Sequence, residues 1–170
     1  MAVLVDDARW LWRGSRWAHL VSDSSAAELH DFAARLGKRR VGFQGDHYDV
    51  DALDRGRALA IGAEPVSSRE LLRRLRGAGL RDRRAKPAWE LLARWPIGTE
   101  VGELPEPLTP AADLAASSRG CDVRVLGDRT QLVLLVDVPP STPVLDPPAA
   151  AWRTGPRPDG WYSIELFVAR

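Results

Sequence analysis

Cysteine is almost absent from this 170-residue chain, which holds a single one at Cys121. An intrachain disulfide is therefore excluded, as is a zinc site built from two or four cysteines. Long apolar runs are missing too, since the longest, Leu132 to Val136, is far shorter than the roughly 20 residues that span a bilayer. Asp6, Asp7 and Arg9 interrupt the start of the chain. We therefore expect no secretory signal, no membrane partner and a location in the bacterial cytoplasm.

Several well-known motifs are also missing. The sequence contains no Walker loop, no Gly-x-Gly-x-x-Gly fingerprint and no Gly-x-Ser-x-Gly elbow. P-loop nucleotide hydrolysis, a Rossmann dinucleotide site and a nucleophile-elbow serine hydrolase thus lack sequence support. Lysine is scarce, with 2 lysines beside 22 arginines. We attribute that bias mainly to a GC-rich genome and give the arginine count little weight.

What the chain does have is apolar content and an uneven charge. Apolar residues make up 45% of the sequence, enough for a substantial core. Residues 1–86 hold 17 of the 24 basic residues but only 12 of the 23 acidic ones. The first half is therefore net positive and the second net negative. This asymmetry suits an anionic ligand on the first half, and equally suits attraction between the halves.

Strand and helix signals alternate in residues 1–86. Capping boxes at Ser25 with Glu28 and at Ser67 with Glu70 open two of the helices. The predicted elements are a strand at 2–5, a helix at 25–36, a strand at 40–44, a helix at 51–61, a strand at 63–66 and a helix from 67 to about 76. Residues 18–23 fit either a further short strand or an approach to the first helix. We predict an α/β fold, a small, mostly parallel, three-layer β-α-β-α-β-α domain.

Residues 87–170 form the second predicted region, which is rich in proline. A short helix is predicted at 88–95, a β-hairpin around Gly127-Asp128, and a final strand at 161–168. Clustered prolines break any long helix there. We expect a Pro-rich C-terminal extension with an antiparallel sheet, or strands that extend the first sheet.

The densest polar chemistry lies at residues 45–49, Gly-Asp-His-Tyr-Asp, between a predicted strand and a predicted helix. In a parallel sheet, Asp6, Asp7, His47 and Asp49 would meet at one edge, where the strands end. Mixed carboxylate and imidazole ligands suit Mn, Zn or Fe, whereas carboxylate and water alone suit Mg. We therefore expect a divalent metal at this edge, namely Mn, Zn or Mg. Such a metal can activate water for attack on a phosphoester.

The predicted site residues fall into three roles. They are His19, His47 and Asp49 as catalytic residues; Arg9, Trp17 and Tyr48 as substrate-binding residues; and Asp6, Asp7, His47 and Asp49 as metal ligands. Each has a structural alternative. Asp49 can cap the following helix, and His47 can brace a turn. His19 can be a core histidine with one satisfied nitrogen, and the nearby His30 can pack against or cap its helix. Asp6 and Asp7 point to opposite sides of a strand, so one of them at most is a ligand.

Two arginine-rich segments offer nucleic-acid contacts. Tryptophans at 10, 12 and 17 alternate with arginines at 9, 13 and 16, a pattern that suits base stacking but also fits a buried loop plug. Arginines at 69, 73 and 76 share a helical face, with Arg81, Arg83 and Arg84 beyond, and fit either a phosphate footprint or a solvated helix.

Several segments together resemble a bacterial and phage family catalogued as domain of unknown function 4031. They are Val5-Asp6-Asp7-x-Arg9, Trp17-x-His19-Leu20-x-x-Asp23, Glu28-Leu29-His30-x-Phe32-Ala33, Phe43-Gln44, His47-Tyr48-Asp49, Ala58 and Gly62-Ala63. The resemblance covers about residues 1–80. It implies no established activity, cofactor or catalytic residue. The segment between Gln44 and His47 is shorter than the resemblance leads us to expect.

Two hypotheses of function follow. The first is a metal-dependent hydrolase or phosphoesterase-like enzyme that acts on a nucleotide or nucleic acid. The alternative is a non-catalytic binding module for nucleic acid or a protein partner, with His19, Tyr48 and Asp49 in a structural hydrogen-bond network. The oligomeric state stays open.

Overall fold

A computed structural model describes residues 1–82 and 84–170, and these divide into two compact units. Unit 1 comprises Met1–Leu36 and Arg40–Pro87, and unit 2 comprises Gly37–Arg39 and Ala88–Arg170. Within the described residues, no helix has the length and apolarity required to span a bilayer.

Unit 1 is built around one long strand in a mixed sheet. Its elements are β1 (Val3–Val5), β2 (Trp10–Trp12), β3 (Ser15–Ser22), α1 (Ala26–Arg35), β4 (Tyr48–Asp51), α2 (Ala52–Ala60), β5 (Glu64–Pro65) and α3 (Ser68–Gly77). Strand β3 pairs antiparallel with β1, β2 and β4, and among the described strands of this sheet only β1 with β5 is parallel.

The predicted mostly parallel β-α-β-α-β-α domain is therefore wrong. A parallel neighbour needs a crossover of a dozen or more residues, but β1 and β3 are joined by a hairpin that contains β2 and no helix. The chain must then return antiparallel. The strand expected at 40–44 is a 3₁₀ turn at Arg40–Gly42, and the strand follows at Tyr48–Asp51.

Period-two alternation along the strands gives the sheet of unit 1 two different buried faces. One face packs against α1 and α2, and its buried members include Val5, Leu20, Tyr48, Val50, Leu29, Phe32 and Ala58. The other face is smaller and packs Leu4 and Val21 against Leu71 and Leu75 of α3. Strand residues next in sequence to Val5, Leu20, Tyr48 or Val50 therefore point to the α3 side of the sheet.

Side-chain caps define where the three helices of unit 1 begin. Ser25 Oγ accepts from the Glu28 amide at 3.1 Å, and Ser67 Oγ accepts from the Glu70 amide at 3.2 Å. These are the predicted caps. Helix α2 is capped by Asp51, whose Oδ1 accepts from the Asp54 amide at 2.8 Å. Asp49 is therefore not the cap.

His30 of α1 lies on the α1 and α2 side of the sheet, where Nδ1 is 2.7 Å from the Tyr48 hydroxyl. Burial, with a smaller contribution from Arg40, lowers its pKa from 6.5 to about 4. The unfolded chain therefore binds a proton near pH 6.5 that the folded chain does not bind until about pH 4. Stability attributable to neutral His30 is complete above pH 6.5 and is lost as pH falls toward 4.

We expect wild type to lose about 1 kcal/mol more stability than His30→Gln between pH 7.5 and pH 5, a value reduced because the ring is only half-buried. Urea unfolding of both proteins at the two pH values measures the difference. Equal losses in the two proteins would contradict the prediction.

Unit 2 contains an entirely antiparallel sheet. Its elements are β6 (Glu90–Trp95), α4 (Ala112–Ser117), β7 (Asp122–Gly127), β8 (Gln131–Val138), β9 (Trp152–Arg153) and β10 (Tyr162–Ala169), and its strand order is β6-β7-β8-β10-β9. The hairpin and the last strand lie where they were predicted. The helix predicted at 88–95 is instead strand β6, because a short apolar run fits both structures.

One face of this second sheet packs on the core of unit 2. Its central members include Leu108, Leu114, Val125, Leu134, Val136 and Ile164. On the other face of β8, Asp137 is buried, with 3% of its side chain exposed. Asp137 Oδ2 accepts from Arg39 Nη2 at 2.5 Å, and Oδ1 accepts from the Ser163 hydroxyl at 2.6 Å. Arg124 and Arg157 each lie 3.4 Å from this carboxylate.

Candidate metal centre

Strand alternation brings the polar candidates together on the α3 side of the sheet. Leu4 and Val21 pack against residues of α3. Asp6 follows Leu4 by two positions and His19 precedes Val21 by two, so both side chains are on the same face as these apolar residues. Asp49 pairs directly with His19 in the β3–β4 ladder. The candidates therefore meet on a face of the sheet, and not at the C-terminal edge expected from parallel strands.

Three side chains form a compact cluster on that face. One imidazole nitrogen each of His19 and His47 and one carboxylate oxygen of Asp49 lie within 4.8 Å of one another. The two imidazole rings meet edge to face with centroids 5.1 Å apart, and His47 Nε2 is 3.4 Å from Asp49 Oδ1. The His19 and Asp49 side chains are each 40% exposed, so solvent reaches the cluster.

Asp6 lies behind His19 and fixes its orientation. Oδ1 of Asp6 accepts from the His19 amide at 2.7 Å, and Oδ2 lies 3.0 Å from His19 Nδ1. The Ser68 hydroxyl donates to the same Oδ2 at 2.7 Å. Burial by itself would raise the pKa of Asp6, but these hydrogen bonds outweigh it and the pKa is lowered. Asp6 is thus an ionised acceptor, and His19 Nδ1 donates to it.

A β-bulge explains how Asp6 reaches both atoms of His19. Val5 pairs with Leu20 and Trp10 pairs with Trp17, so residues 6–9 face only residues 18 and 19. The segment between β1 and β2 therefore has two residues more than β3 has opposite it, and the ladder of backbone hydrogen bonds is interrupted there. The carboxylate of Asp6 accepts a hydrogen bond from the His19 amide, and bulges commonly re-aim a side chain in this way beside functional sites.

Asp46 supports His47 in the same manner. Its Oδ1 is 2.6 Å from His47 Nδ1, and its Oδ2 accepts from Arg81 Nη1 at 2.8 Å, with only 2% of the Asp46 side chain exposed. Burial would lower the pKa of His47, but the hydrogen bonds to Asp49 and Asp46 prevail and raise it. Burial would raise the pKa of Asp49, but the His47 hydrogen bond prevails and lowers it.

Both histidines therefore use Nδ1 for a buried aspartate, which leaves Nε2 of each for a ligand. Carboxylates that accept from the second ring nitrogen are the usual supports of metal-binding histidines, because they fix the tautomer and raise ligand basicity. Two imidazoles and one carboxylate are a donor set that suits Zn, Mn or Fe(II). The chemistry of the cluster fits a divalent metal.

A cavity of about 180 Å³ opens beside the cluster. Its polar lining comes from Asp6, His19, His47, Ser68 and Arg81, and its apolar lining from Val21, Leu71, Leu72 and Leu75. A substrate group held there would lie next to both histidines, with the α3 leucines excluding water from its far side.

The other predicted site residues lie outside the cluster. Asp7 is 54% exposed and pairs with Arg9 at 2.9 Å and with Arg55 at 3.1 Å. Trp17 is half-buried, and its Nε1 donates to the Trp12 carbonyl at 3.0 Å. Tyr48 is only 2% exposed and lies on the opposite face of the sheet, against α1 and α2. The structure does not bring Tyr48 to the three-residue cluster.

Three supporting residues escaped the sequence analysis. Arg81 was singled out only as part of an arginine-rich segment, and Ser68 and Arg55 were not singled out. Arg55 Nε donates to the Asp6 carbonyl at 2.6 Å and so holds the bulge. Nothing in the sequence spacing signals these long-range contacts.

The predicted arginine footprint is partly tied up in ion pairs. On α3, Arg73 pairs with Glu70, and Arg81 pairs with the buried Asp46. Arg83 lies outside the described residues. The helix face at 69–76 thus resembles a solvated surface more than an open phosphate footprint.

Gly45 holds the approach to Asp46 and His47. Its φ of +94° is in the region that favours glycine, and an added Cβ would lie 2.8 Å from backbone atoms of Ala85 and Lys86. We expect Gly45→Ala to destabilise the fold by about 2 kcal/mol. Gly42→Ala is the matched control, because nothing lies within 4 Å of its added Cβ. Thermal unfolding of both variants measures the difference, and an equal shift in the two would refute it.

Comparisons with known proteins give one match. No curated protein and no solved structure matches the chain. Residues 3–78, which hold the cluster and its supporting aspartates, match the family described as Protein of unknown function (DUF4031), and the resemblance noted in the sequence is thereby confirmed.

Proposed function

We propose that unit 1 is a divalent-metal-dependent hydrolase of phosphoesters, with His19, His47 and Asp49 as its metal ligands. The observation that carries the proposal is the pair of buried aspartates, each hydrogen-bonded to Nδ1 of one histidine. Structural histidines need no such paired orientation toward a shared point with a third donor.

His19, His47 and Asp49 would hold the metal, and three protein ligands are the number that catalytic zinc sites use. A divalent metal held by them would supply Lewis-acid chemistry, which acidifies a water molecule and polarises a substrate oxygen. Hydrolysis then adds water across a P–O bond: the bond to the leaving oxygen breaks, that oxygen takes a proton, and a new P–O bond forms to the water oxygen.

Nearby positive charge favours a phosphoester over a neutral substrate. Arg81 lines the cavity while it also pairs with the buried Asp46, and Lys86 lies close enough to Asp49 to help lower its pKa. Arg55 is held by the Asp6 carbonyl and the Asp7 carboxylate, so it supports the strand and adds no free charge. The Arg81 and Lys86 cations would offset phosphate charge and the charge that develops during its transfer.

The test is calorimetric titration of chelator-treated protein with Mn²⁺, Zn²⁺ and Mg²⁺, and with Fe²⁺ under anaerobic conditions. Hydrolysis of bis(4-nitrophenyl) phosphate and 4-nitrophenyl phosphate is then measured with each metal. We expect one equivalent of Mn²⁺ or Zn²⁺ to bind in preference to Mg²⁺, and hydrolysis to stop on chelation. Failure to bind any metal would refute the site. Metal binding without hydrolysis of either ester would refute the hydrolase and favour a binding module.

A further inference from the structure

The β2–β3 hairpin extends past the rest of the sheet as a two-stranded ribbon. Strand β4 pairs with β3 as far as Trp17, and within the part of the chain that the structure describes β2 pairs with β3 alone. In that part of the chain, no third strand lies beside residues 12–16. The turn is made by Arg13, at φ 49°, and Gly14, at φ 78°.

One face of this ribbon is aromatic and is continuous with the three-residue cluster of His19, His47 and Asp49. Trp10 and Trp17 face each other across the ladder, and Trp17 is two residues from His19 on β3. The Trp10 ring lies 4.4 Å from the His19 ring, and Trp12 meets Trp17 edge to face at 5.3 Å. A row of rings thus leads from His19 to the tip of the hairpin.

The ribbon is exposed, which argues against a buried plug. Trp12 is 51% exposed and Leu11 is 72% exposed. The ribbon is also cationic: it carries Arg13 and Arg16 and follows Arg9, and no acidic residue occurs between Asp7 and Asp23. The Arg13 guanidinium lies 4.5 Å from the Trp12 ring centroid, so charge and aromatic surface coincide at the tip.

Exposed rings interleaved with arginines are the means by which proteins hold single strands, since bases stack on the rings and arginines meet the phosphates. A duplex buries its base faces and offers no such stacking. An acidic protein partner would satisfy the arginines but would not explain why the row of rings ends at a phosphoester-hydrolysing centre.

We infer that the β2–β3 hairpin binds single-stranded nucleic acid and directs it to the three-residue cluster. The substrate is then a phosphodiester within a single strand. This inference rests on the proposed function for the identity of the reaction. It adds the class of substrate and the surface that selects it.

The test is fluorescence anisotropy with a labelled 12-nucleotide thymidine strand, in the presence of chelator so that the strand stays intact. We expect Trp12→Ala to raise Kd about 10-fold, from the loss of one stacked base. Arg13→Ala with Arg16→Ala should lower the slope of log Kd against log salt by about 1.4. A 12-base-pair duplex should bind more weakly than the single strand.

Two control variants distinguish an effect of the hairpin from a general effect of positive charge or exposed apolar area. Arg73→Ala with Arg76→Ala removes the same charge from exposed positions of α3, and Leu53→Ala removes an apolar side chain that is 62% exposed on α2. Both should leave Kd within about 2-fold of wild type. Equal effects of control and hairpin variants, or equal binding of duplex and single strand, would overturn the inference.

The Mn²⁺ titration of Trp12→Ala distinguishes this inference from the proposed function. If Trp12→Ala binds Mn²⁺ as tightly as wild type but binds the strand more weakly, the hairpin inference and the proposed metal site are both supported. Normal metal binding with no binding of the strand to wild type refutes the hairpin inference alone. Strand binding that depends on the hairpin, without any metal binding, refutes the hydrolase and with it the strand as substrate.

Discussion

His47→Gln should weaken Mn²⁺ binding by at least about 100-fold and abolish the proposed metal-dependent hydrolysis of phosphodiesters. The change removes a proposed direct ligand, and loss of a group that only supports a ligand already costs about 10- to 100-fold. Glutamine is similar in size but offers no imidazole nitrogen. Because only 21% of the His47 side chain is exposed and the buried Asp46 loses a hydrogen-bond partner, thermal unfolding of the variant is measured alongside metal binding to show that it is folded. Calorimetry with Mn²⁺ and the ester assay measure both effects.

His30→Gln is the matched control, because His30 lies on the opposite face of the sheet beside Tyr48. It should keep the wild-type metal affinity at pH 7.5. Unchanged Mn²⁺ affinity in His47→Gln would contradict the metal centre.

The two adjacent aspartates predicted as ligands should behave differently from each other. Asp6→Asn should weaken Mn²⁺ binding about 10- to 100-fold, because Asp6 orients His19. Asp7→Asn should have no effect, because the Asp7 carboxylate meets Arg9 and Arg55. The same titration decides between them, and a larger loss from Asp7→Asn would show that the ligands are assigned wrongly.

Asp137→Ala should destabilise unit 2 by about 3 kcal/mol. The carboxylate is nearly inaccessible and meets Arg39, Arg124, Arg157 and the Ser163 hydroxyl. Its loss leaves clustered like charges and a buried hydroxyl without their shared acceptor. The expected loss of stability is at the low end of the range for a broken buried ion pair. The reason is that 23–30% of each arginine side chain is exposed to water.

Asp146→Ala removes the same side chain from an exposed position and should change stability by less than about 0.5 kcal/mol. Urea unfolding followed by circular dichroism compares the two variants. A loss below about 1 kcal/mol in Asp137→Ala would mean that the network is offset by its own desolvation.

Local patterns in the sequence predicted much of the helical structure and part of the site. The serines at 25 and 67 begin helices as capping boxes indicate, because caps depend on residues three positions apart. His19, His47 and Asp49 were singled out by residue type and do converge. Their role in catalysis stays a prediction.

What the sequence could not supply was strand direction. Direction depends on which distant segments pair, and the irregular Trp and Arg segment gave no clear sign of a hairpin. Once β3 is known to return antiparallel to β1, alternation alone places Asp6 and His19 on one face. Contacts such as Ser68 to Asp6, 62 residues apart, follow from packing and leave no local pattern.

The bulge at residues 6–9 separates the length of this segment from the position of the indoles. Trp17 lies on β3 two residues from His19, and the two-residue turn at Arg13 and Gly14 fixes the register of Trp10 against Trp17. A residue added between Asp6 and Trp10 would therefore enlarge the bulge and leave the indoles beside the imidazoles. Among related chains, we expect length to vary before residue 10 and to be constant from the hairpin turn to the residue equivalent to His19.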